Sequence, residues 1–459
     1  MTTETKPRLD PAVLRLAVVL LVGILAVVFD TTIVNVALDT LAGSLHVGIA
    51  TIQWVTTGYL LALGVVVPVT GWLQDRWGGK NVWMAGLLIF LAGSIGASLA
   101  VDAPTLIACR VVQGVGGGIM LPVLTTLLVQ AAGAEALGSV IAVVTLPVLL
   151  GPILGPLAGG LIVQHLSWRW IFWVNIPFCV VGLILAGRLM PRLPGSHRAR
   201  LDVVGLALLS PGIAAIVYGL SRDEGLTKPL VTVPVIAGAI LLAIFTVRAW
   251  RRGPAALVDV RLFGVSSFSA ASGLLFLTGF ALYGGMFLVP LYFQQVRGAS
   301  AFEAGLLIGA QGVGVLASRG LAGRLTDRFG ARWVTFTGLL IVVAATIPFA
   351  LATDRTSRWL LVAALVVRGV GLGGVTIPVM AAAYVGLEKP SIPHASIITR
   401  VAQQIGGSFG TAVLAVVLAR AADGHSPSGA FDVTFWWSIA ITLLAVLLAL
   451  RLPVRAVRP

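Results

Sequence analysis

Charged side chains are scarce in this sequence. They make up only 10% of its 459 residues, whereas hydrophobic side chains make up 58% and the mean hydropathy is +1.02. A soluble fold cannot bury so large an apolar fraction, and a membrane-spanning helix needs about 20 mostly apolar residues. The composition therefore predicts an all-α polytopic membrane protein.

Residues for metal binding and covalent chemistry are also few. The two cysteines, Cys109 and Cys179, both lie in apolar runs, which excludes a disulfide framework and a CxxC metal site. The five histidines lie in predicted loops or at helix ends, without metal-ligand spacing. A membrane enzyme needs a constellation of His, Ser, Cys or paired carboxylates. We therefore predict that the protein is not an enzyme and holds no metal and no cofactor.

The distribution of apolar runs predicts the number of spans. Runs separated by charged or Gly/Pro-rich turns give fourteen, and a twelve-span alternative would omit the seventh and eighth, which are the weakest. The predicted limits are 12–38, 51–73, 82–100, 104–130, 136–164, 168–190, 202–221, 229–250, 267–292, 303–322, 332–352, 358–386, 396–420 and 432–451.

Basic residues outnumber acidic ones, 31 to 17, and their placement predicts the orientation. In the fourteen-span arrangement, 22 Lys and Arg fall on the side of the two termini, 7 fall on the other side, and two lie within spans. The positive-inside rule therefore places both termini in the cytoplasm. Arg greatly outnumbers Lys, and Ala, Val and Gly are abundant, which suggests a high-GC bacterium, so we expect the protein in the bacterial inner membrane. Because these cations meet lipid headgroups, the net charge of +14 does not indicate a nucleic-acid partner.

An internal repeat predicts how the spans are grouped. GWLQDRWGGK at 71–80 and GRLTDRFGAR at 323–332 align without gaps, and each follows the second span of a half if the second half begins at the ninth span. The predicted units are an N-terminal six-helix bundle at 1–195, two inserted helices at 196–262 and a C-terminal six-helix bundle at 263–459. Parallel halves of this kind are typical of secondary transporters.

Two opposite charges lie deep in predicted spans. Asp30 lies eight residues before Leu38, about 12 Å from the outer surface, and Arg110 lies six residues after Pro104, about 9 Å from it. Unneeded ionisable residues are rare in spans, so this pair is the first functional candidate, although a purely structural buried pair is the alternative. Gln113 lies on the same helix face as Arg110.

Several motifs together resemble the major facilitator superfamily, and within it the drug:proton antiporters with fourteen spanning helices. They are FDTTIVNVAL, QWVTTGYLLALG, GWLQDRWGGK, RVVQGVGG, GPILGPLAGG and WRWIFWVNIP. The resemblance implies a major facilitator fold of two six-helix bundles with two inserted helices. It also implies that Asp30 and Arg110 couple transport to a proton gradient, which serves as the energy source.

The resemblance also implies roles for two glycine-rich motifs. The repeated motif is a cytoplasmic gate in the family, and its matching residues here are Gly71, Asp75, Arg76, Gly78, Lys80, Asp327 and Arg328. Gly79 stands where the family usually has a basic residue. The GPxxGPxxGG pattern marks antiporters in the family, and it supplies Gly151, Pro152, Gly155, Pro156 and Gly159. The glycines, spaced by four, form a smooth stripe that permits close helix packing, and the prolines bend the helix.

The predicted substrate cavity combines polar motif residues with an aromatic face of the ninth span. Its members are Asn35, Gln53, Tyr59, Gln113, Phe276, Phe280, Tyr283, Gln311 and Arg368. A lipid-facing or packing role is an equal alternative for the aromatic residues. With one deep Asp and two deep Arg, the spans disfavour dications and fit neutral, monocationic or even anionic lipophiles. Asp39 stands where the family's first helix usually ends in Pro, and it is either a receptor for protons or substrate or a solvated helix end.

The predicted function is proton-driven multidrug efflux of lipophilic, neutral or monocationic compounds by alternating access. The expected partners are such substrates, protons and the lipid bilayer, with the monomer as the functional unit. A dedicated exporter of a host natural product, siderophore or lipid is the alternative on the same fold. Peptide symport is disfavoured because the first span lacks an E-x-x-E-R signature, and a channel would not show saturable, gradient-dependent flux.

Overall fold

The structure is a computed structural model that describes residues 11–191, 201–221, 228–353, 355–388 and 391–453. Within the sixth helix it describes the backbone, but not the side chains, of residues 132–149 and 152. The predicted boundary at 195/196 lies outside these ranges. So do nine of the cations used to predict the orientation: Lys6, Arg8, Arg192, Arg198, Arg200, Arg222, Lys389, Arg455 and Arg458.

The described residues form α-helices joined by short turns, without strands. The helices of the first half are α1 (Pro11–Leu45), α2 (Ile49–Ile52), α3 (Trp54–Val66), α4 (Thr70–Trp77), α5 (Gly79–Ser98), α6 (Ala103–His165), α7 (Trp170–Trp173) and α8 (Asn175–Leu189). The rest are α9 (Val203–Leu220), α10 (Pro229–Arg252), α11 (Ser266–Gln295), α12 (Ala301–Phe329), α13 (Ala331–Ala350), α14 (Arg358–Ala383), α15 (Ile392–Ala422) and α16 (Pro427–Ala449).

The helices account for the predicted spans. In the described residues, thirteen helical stretches are long and apolar enough to cross a membrane, with Ile49–Trp77 and Trp170–Leu189 each combining neighbouring helices. A further shorter apolar stretch is Ile153–His165 at the end of α6, which corresponds to the predicted fifth span. The prediction of the seventh and eighth spans is confirmed as α9 and α10, so the twelve-span alternative is wrong.

The fourth and fifth spans differ from the prediction, because the structure joins them into the single helical element α6. Its two arms nevertheless run in opposite directions. Gly117 packs against Val27 of α1, and Gly151, 34 residues later, packs against the adjacent Val28. A straight helix would carry Gly151 about 51 Å away, so the chain turns back between these glycines while keeping helical hydrogen bonding.

Packing divides the helices into groups. In the first half, α6 packs against α1, α3 and α5, and α8 packs against α1 and α5. In the second half, α12 and α13 pack against α14, and α11 packs against α15 and α16. Helices α9 and α10 pack mainly against each other, and α9 also reaches α3 and α15. Contacts of α6 with α12 and of α3 with α15 join the two halves.

The two copies of the repeated motif lie mostly on helices, whereas the sequence prediction placed them between spans. Helix α4 continues to Trp77 and α12 continues to Phe329, several residues beyond the predicted span ends at 73 and 322. The turns are confined to Gly78 (φ 78°) and Gly330 (φ 86°), a conformation that glycine adopts without a Cβ clash. We call this end of the bundle the motif end, and the end where α1 and α11 terminate the far end.

Candidate functional site

Asp30 and Arg110 form an ion pair in the interior of the first half. Arg110 Nη1 donates to Asp30 Oδ2, and both side chains are at most 1% exposed. The second carboxylate oxygen of Asp30 accepts from Gln113 Nε2 at 3.3 Å and from Asn175 Nδ2 at 2.8 Å. The carboxylate therefore receives three donors from two different helices, α6 and α8, which is the arrangement that a buried charge requires.

Arg110 has further polar and aromatic contacts besides Asp30. Its Nε donates to the carbonyl of Val55 at 3.0 Å, and its Nη1 also donates to Gln113 Oε1 at 2.9 Å. The guanidinium carbon lies 4.1 Å from the ring centroid of Tyr59 and 5.8 Å from that of Phe172. Aromatic faces favour a cation at such distances. The unpaired charge of either partner would be costly here, because neither side chain reaches solvent.

Sequence reasoning did not identify two members of this cluster, Asn175 and Ser94. Asn175 binds Asp30, and Ser94 Oγ accepts from Gln113 Nε2 at 2.7 Å. Ser94 lies on α5 and carries no motif signal. Asn175 belongs to the WRWIFWVNIP motif, and the position of its amide at the start of α8 was the available clue.

A cavity of about 540 Å³ lies between the two halves. Residues of α1, α6, α11, α12, α14 and α15 line it, and its wall is mostly apolar. Polar side chains interrupt that wall, among them Thr31, Thr125, Tyr283, Gln311, Arg319 and Arg400. Thr125 follows the start of α6 by more than twenty residues and Arg319 lies toward the end of α12, so the cavity occupies the half of the bundle nearer the motif end.

The ion pair lies behind the cavity wall and does not line it. The lining residues of α1 include Val27, Val28 and Thr31, but neither Asp30 nor Arg110 is among them. One polar path crosses the wall: the hydroxyls of Thr31 and Tyr59 are 3.2 Å apart, and the Tyr59 ring contacts Arg110. Asp30 and Thr31 are therefore adjacent on α1 but point in different directions, Thr31 toward the cavity and Asp30 toward the interior of the first half.

Of the nine predicted substrate-cavity residues, the structure places Tyr283 and Gln311 on the cavity wall. Asn35 and Gln53 are buried among the helices of the first half, where they bind Thr56 and Thr57. Tyr59 and Gln113 belong to the ion-pair cluster described above. These positions are internal because α3 packs tightly against α6 through Gly114 and Gly118.

The predicted aromatic face of α11 is mainly a packing face. Phe276 contacts the ring of Phe409 with centroids 5.4 Å apart, and the backbone of Phe280 lies against Gly410. Because α15 has glycines at this contact, α11 packs closely against it, and Phe276 and Phe280 lie between the two helices. Tyr283 of α11 lines the cavity.

Arg368 lies in the second half and has no carboxylate partner among the described residues. Its Nη1 donates to Gln311 Oε1 at 2.6 Å, and its Nη2 donates to the carbonyl of Ala281 at 2.8 Å. Arg368 does not line the cavity itself, because Gln311 stands between them. The two halves therefore differ: Arg110 faces an acid, and Arg368 faces neutral acceptors.

The glycine stripe of the second arm of α6 packs against α1. Gly151, Gly155 and Gly159 lie against Val28, Thr32 and Ile33, so a side chain at any of them would clash. Thr32 Oγ1 also donates to the Gly151 carbonyl at 3.3 Å. The carbonyl of Pro156 lies against Gly305 of α12, which brings the same arm into the seam between the halves. The side chain of Pro152 lies outside the described residues.

The ends of the bundle differ in closure. At the far end, Gln295 Nε2 donates to Asp39 Oδ1 at 2.7 Å and Gln294 Nε2 donates to the Val36 carbonyl at 3.1 Å, so α11 is bound to α1. At the motif end, Asp75, Arg76, Asp327 and Arg328 are exposed, and no ion pair in the described part of the chain involves them. Gly71 has open space around it. Lys80 instead donates to the carbonyls of Gly187 and Met190 within the first half.

Comparison with known proteins decides the family. A family model described as Major Facilitator Superfamily matches residues 20–411 and, in a second match, 271–459. The chain belongs to the major facilitator superfamily. It is therefore a multi-pass membrane transporter, and the prediction that it is not an enzyme is confirmed by its relatives and fold.

Individual relatives of this major facilitator protein carry drug-resistance names. It is 36% identical over 416 residues to the "Multidrug resistance protein B homolog" of Mycobacterium tuberculosis, covering 90% of this chain and 77% of that one. It is 28% identical to the "Lincomycin resistance protein LmrB" of Bacillus subtilis, covering 91% and 88%. A crystal structure of a D-xylose-proton symporter matches with a TM-score of 0.69 at 14% identity, covering 96% and 98%, which shows the shared fold.

Proposed function

We propose that this protein is a proton-driven exporter of lipophilic drugs that works by alternating access, in the inner membrane of a bacterium. The observation that carries the proposal is the position of Asp30: a fully buried carboxylate, paired with Arg110, one residue from the cavity-lining Thr31. The resistance names of two relatives support the export of drugs.

The shape of the cavity supports the direction of access. The cavity lies toward the motif end and the far end is bound together through Asp39 and Gln295. The positive-inside bias makes the motif end cytoplasmic. On that assignment the structure represents the inward-facing state, in which the gate residues Asp75, Arg76, Asp327 and Arg328 form no ion pair with other described residues and a substrate enters from the cytoplasm or inner leaflet.

The ion pair supplies a physical means of coupling. A proton on Asp30 removes its charge and weakens its attraction to Arg110, while Gln113 and Asn175 lose a charged acceptor. Because Asp30 and Thr31 lie on the same helix, a shift of α1 that follows protonation also moves the cavity wall. Proton binding and substrate binding then favour different arrangements of α1, and that difference couples their opposite fluxes.

The experiment is efflux from proteoliposomes that contain the full chain. A fluorescent lipophilic substrate is loaded, and its flux is followed with an imposed pH gradient, then with the gradient collapsed by a proton–potassium exchanger. We expect saturable transport that requires the gradient. Transport of equal rate without the gradient, or flux that never saturates, would contradict the proposal.

A further inference from the structure

Among the described residues, basic side chains line the cavity between the halves and acidic ones do not. Arg319 of α12 and Arg400 of α15 are among its described lining residues, and no Asp or Glu is. The count of basic residues from the sequence alone assigns both arginines to the cytoplasmic ends of their spans. The structure places them on the cavity wall, a few residues inside the predicted span ends at 322 and 396.

Neither arginine is neutralised within the described residues. Arg319 forms no ion pair, and its Nε is buried without a hydrogen-bond partner. Arg400 has one weak side-chain contact, from Nη2 to Thr125 Oγ1 at 3.5 Å. Both side chains are partly buried, and a guanidinium in such a position normally has a carboxylate or several acceptors, since a charge removed from water without a partner is costly. Both side chains therefore have donors free for an anionic guest.

The surrounding charges do not compensate them. Asp30 is engaged by Arg110, Gln113 and Asn175, and it lies behind the wall. Arg368 adds a third cation directly behind Gln311, which lines the cavity. The field in the cavity is thus positive, and the apolar wall around it strengthens any contact with a negative group.

We propose that the cavity selects organic anions: compounds with a flat or branched apolar body and a single carboxylate or sulfonate group. The acid group binds between Arg319 and Arg400, and the body packs against the apolar side chains of α1, α6 and α11, such as Val28, Leu124 and Met286. This assignment rests on the proposed export function and specifies its substrate class. It narrows the substrates that fit the charges of the spans, which are neutral, monocationic or anionic lipophiles, to the anionic class.

Three matched ligands test the charge preference: 1-naphthaleneacetate, its neutral methyl ester, and a naphthylmethyl trimethylammonium cation. Their Kd values are measured by isothermal titration on the purified full chain. We expect the anion to bind on the order of tenfold more tightly than the ester, because charge-assisted hydrogen bonds are stronger than neutral ones, and the cation to bind weakest. If the wild-type protein binds the anion and the ester equally well, or prefers the cation, the proposal is wrong.

Variants locate the preference. Arg319→Gln and Arg400→Gln should each reduce the anion-to-ester ratio severalfold, and Arg319→Lys should retain most of it. Arg188→Gln is the matched control, since Arg188 is exposed at the end of α8, away from the cavity. A ratio that is unchanged in both Gln variants would contradict the assignment to these two residues.

Efflux of the same ligands separates this inference from the proposed function. If the anion binds preferentially but none of the three ligands is exported under a pH gradient, proton-driven export is contradicted and the anion site stands. If the ester or cation is exported under the gradient without any preference for binding the anion, export stands and the anion site is contradicted.

Discussion

The hydroxyl of Thr31 lies 3.2 Å from the hydroxyl of Tyr59, and this contact joins the cavity to the buried ion pair. Thr31 faces the cavity, while the ring of Tyr59 lies 4.1 Å from the guanidinium of Arg110. In the described structure, the cavity and the proton-coupling candidate therefore meet through two neutral side chains. We expect a substrate that displaces Thr31 to change the environment of Arg110 without touching it.

Tyr59→Phe tests this link. The substitution keeps the ring over Arg110 but removes the hydroxyl, so we expect thermal stability within about 1 kcal/mol of wild type and slower gradient-driven efflux. Tyr59→Leu also removes the aromatic face and should cost about 2 kcal/mol more, because the cation is desolvated. Unfolding in detergent and proteoliposome efflux measure the two effects.

Thr31→Val completes a double-mutant cycle with Tyr59→Phe, because it removes the other hydroxyl of the same contact. If the two hydroxyls act together, the double variant should be no slower than either single variant, since members of one contact are not additive. Strictly additive defects in efflux would contradict a shared role.

Asn175→Leu should destabilise the protein through Asp30. The variant removes the 2.8 Å donor to Oδ1 and leaves that oxygen with the longer contact from Gln113. Hydrogen bonds to charged groups contribute about 1.5–3 kcal/mol, so we expect a loss in that range in unfolding measurements. In an Asp30→Asn background the same substitution should cost less. An equal cost in both backgrounds would show that Asn175 acts independently of the carboxylate.

The sequence predicted the elements of this site better than their arrangement. Asp30 and Arg110 were found because a charge in an apolar run is conspicuous, and depth counting from helix ends brought them together. Asn175 and Ser94 were missed because small polar residues in a span carry no such signal. Asn35 and Gln53 were assigned to the cavity because a sequence motif does not state which face of a helix it occupies.

Gly305→Ala should weaken the closed seam between the halves. A Cβ at Gly305 would clash with the carbonyl of Pro156, which backbone packing holds in place. We expect reduced stability of the inward-facing state, seen as greater labelling by an impermeant thiol reagent of a cysteine introduced at the far end. Gly320→Ala on the same helix is the control, because no atom lies within 4 Å of a Cβ there.

The control should be neutral or stabilising by about 0.5–1 kcal/mol, since alanine favours a helix more than glycine does. Similar labelling of the two alanine variants would mean that the seam tolerates the added methyl group and does not govern opening.

Gln295→Ala should have a smaller effect at the same end. The bond from Gln295 to Asp39 lies at an exposed surface, where solvent competes, so its loss should cost no more than about 1 kcal/mol. We expect labelling at the far end to rise less than in Gly305→Ala. A larger rise would show that this polar contact, and not the glycine seam, is the main outer closure.

The charge of the cavity could not be derived from span prediction. Arg319 and Arg400 lie near predicted cytoplasmic ends, where a basic residue is ordinarily explained by orientation alone. Only the packing of α12 and α15 around a shared space shows that both line the cavity. The continuity of α6 was missed for a related reason. The sequence predicted that the chain leaves the helix where it reverses direction between the fourth and fifth spans.

The central claim is that Asp30 couples proton movement to export, and gradient-driven uptake into everted vesicles by Asp30→Asn tests it most directly. Because removing one partner of a buried pair can destabilise the fold by about 3–5 kcal/mol, folded protein is first verified by size-exclusion chromatography, with Asp30→Glu as a variant that can still bind a proton. We predict that Asp30→Asn loses pH-gradient-driven uptake but retains substrate counterflow without a gradient, whereas Asp30→Glu keeps part of both. Full gradient-driven uptake by Asp30→Asn would contradict the account.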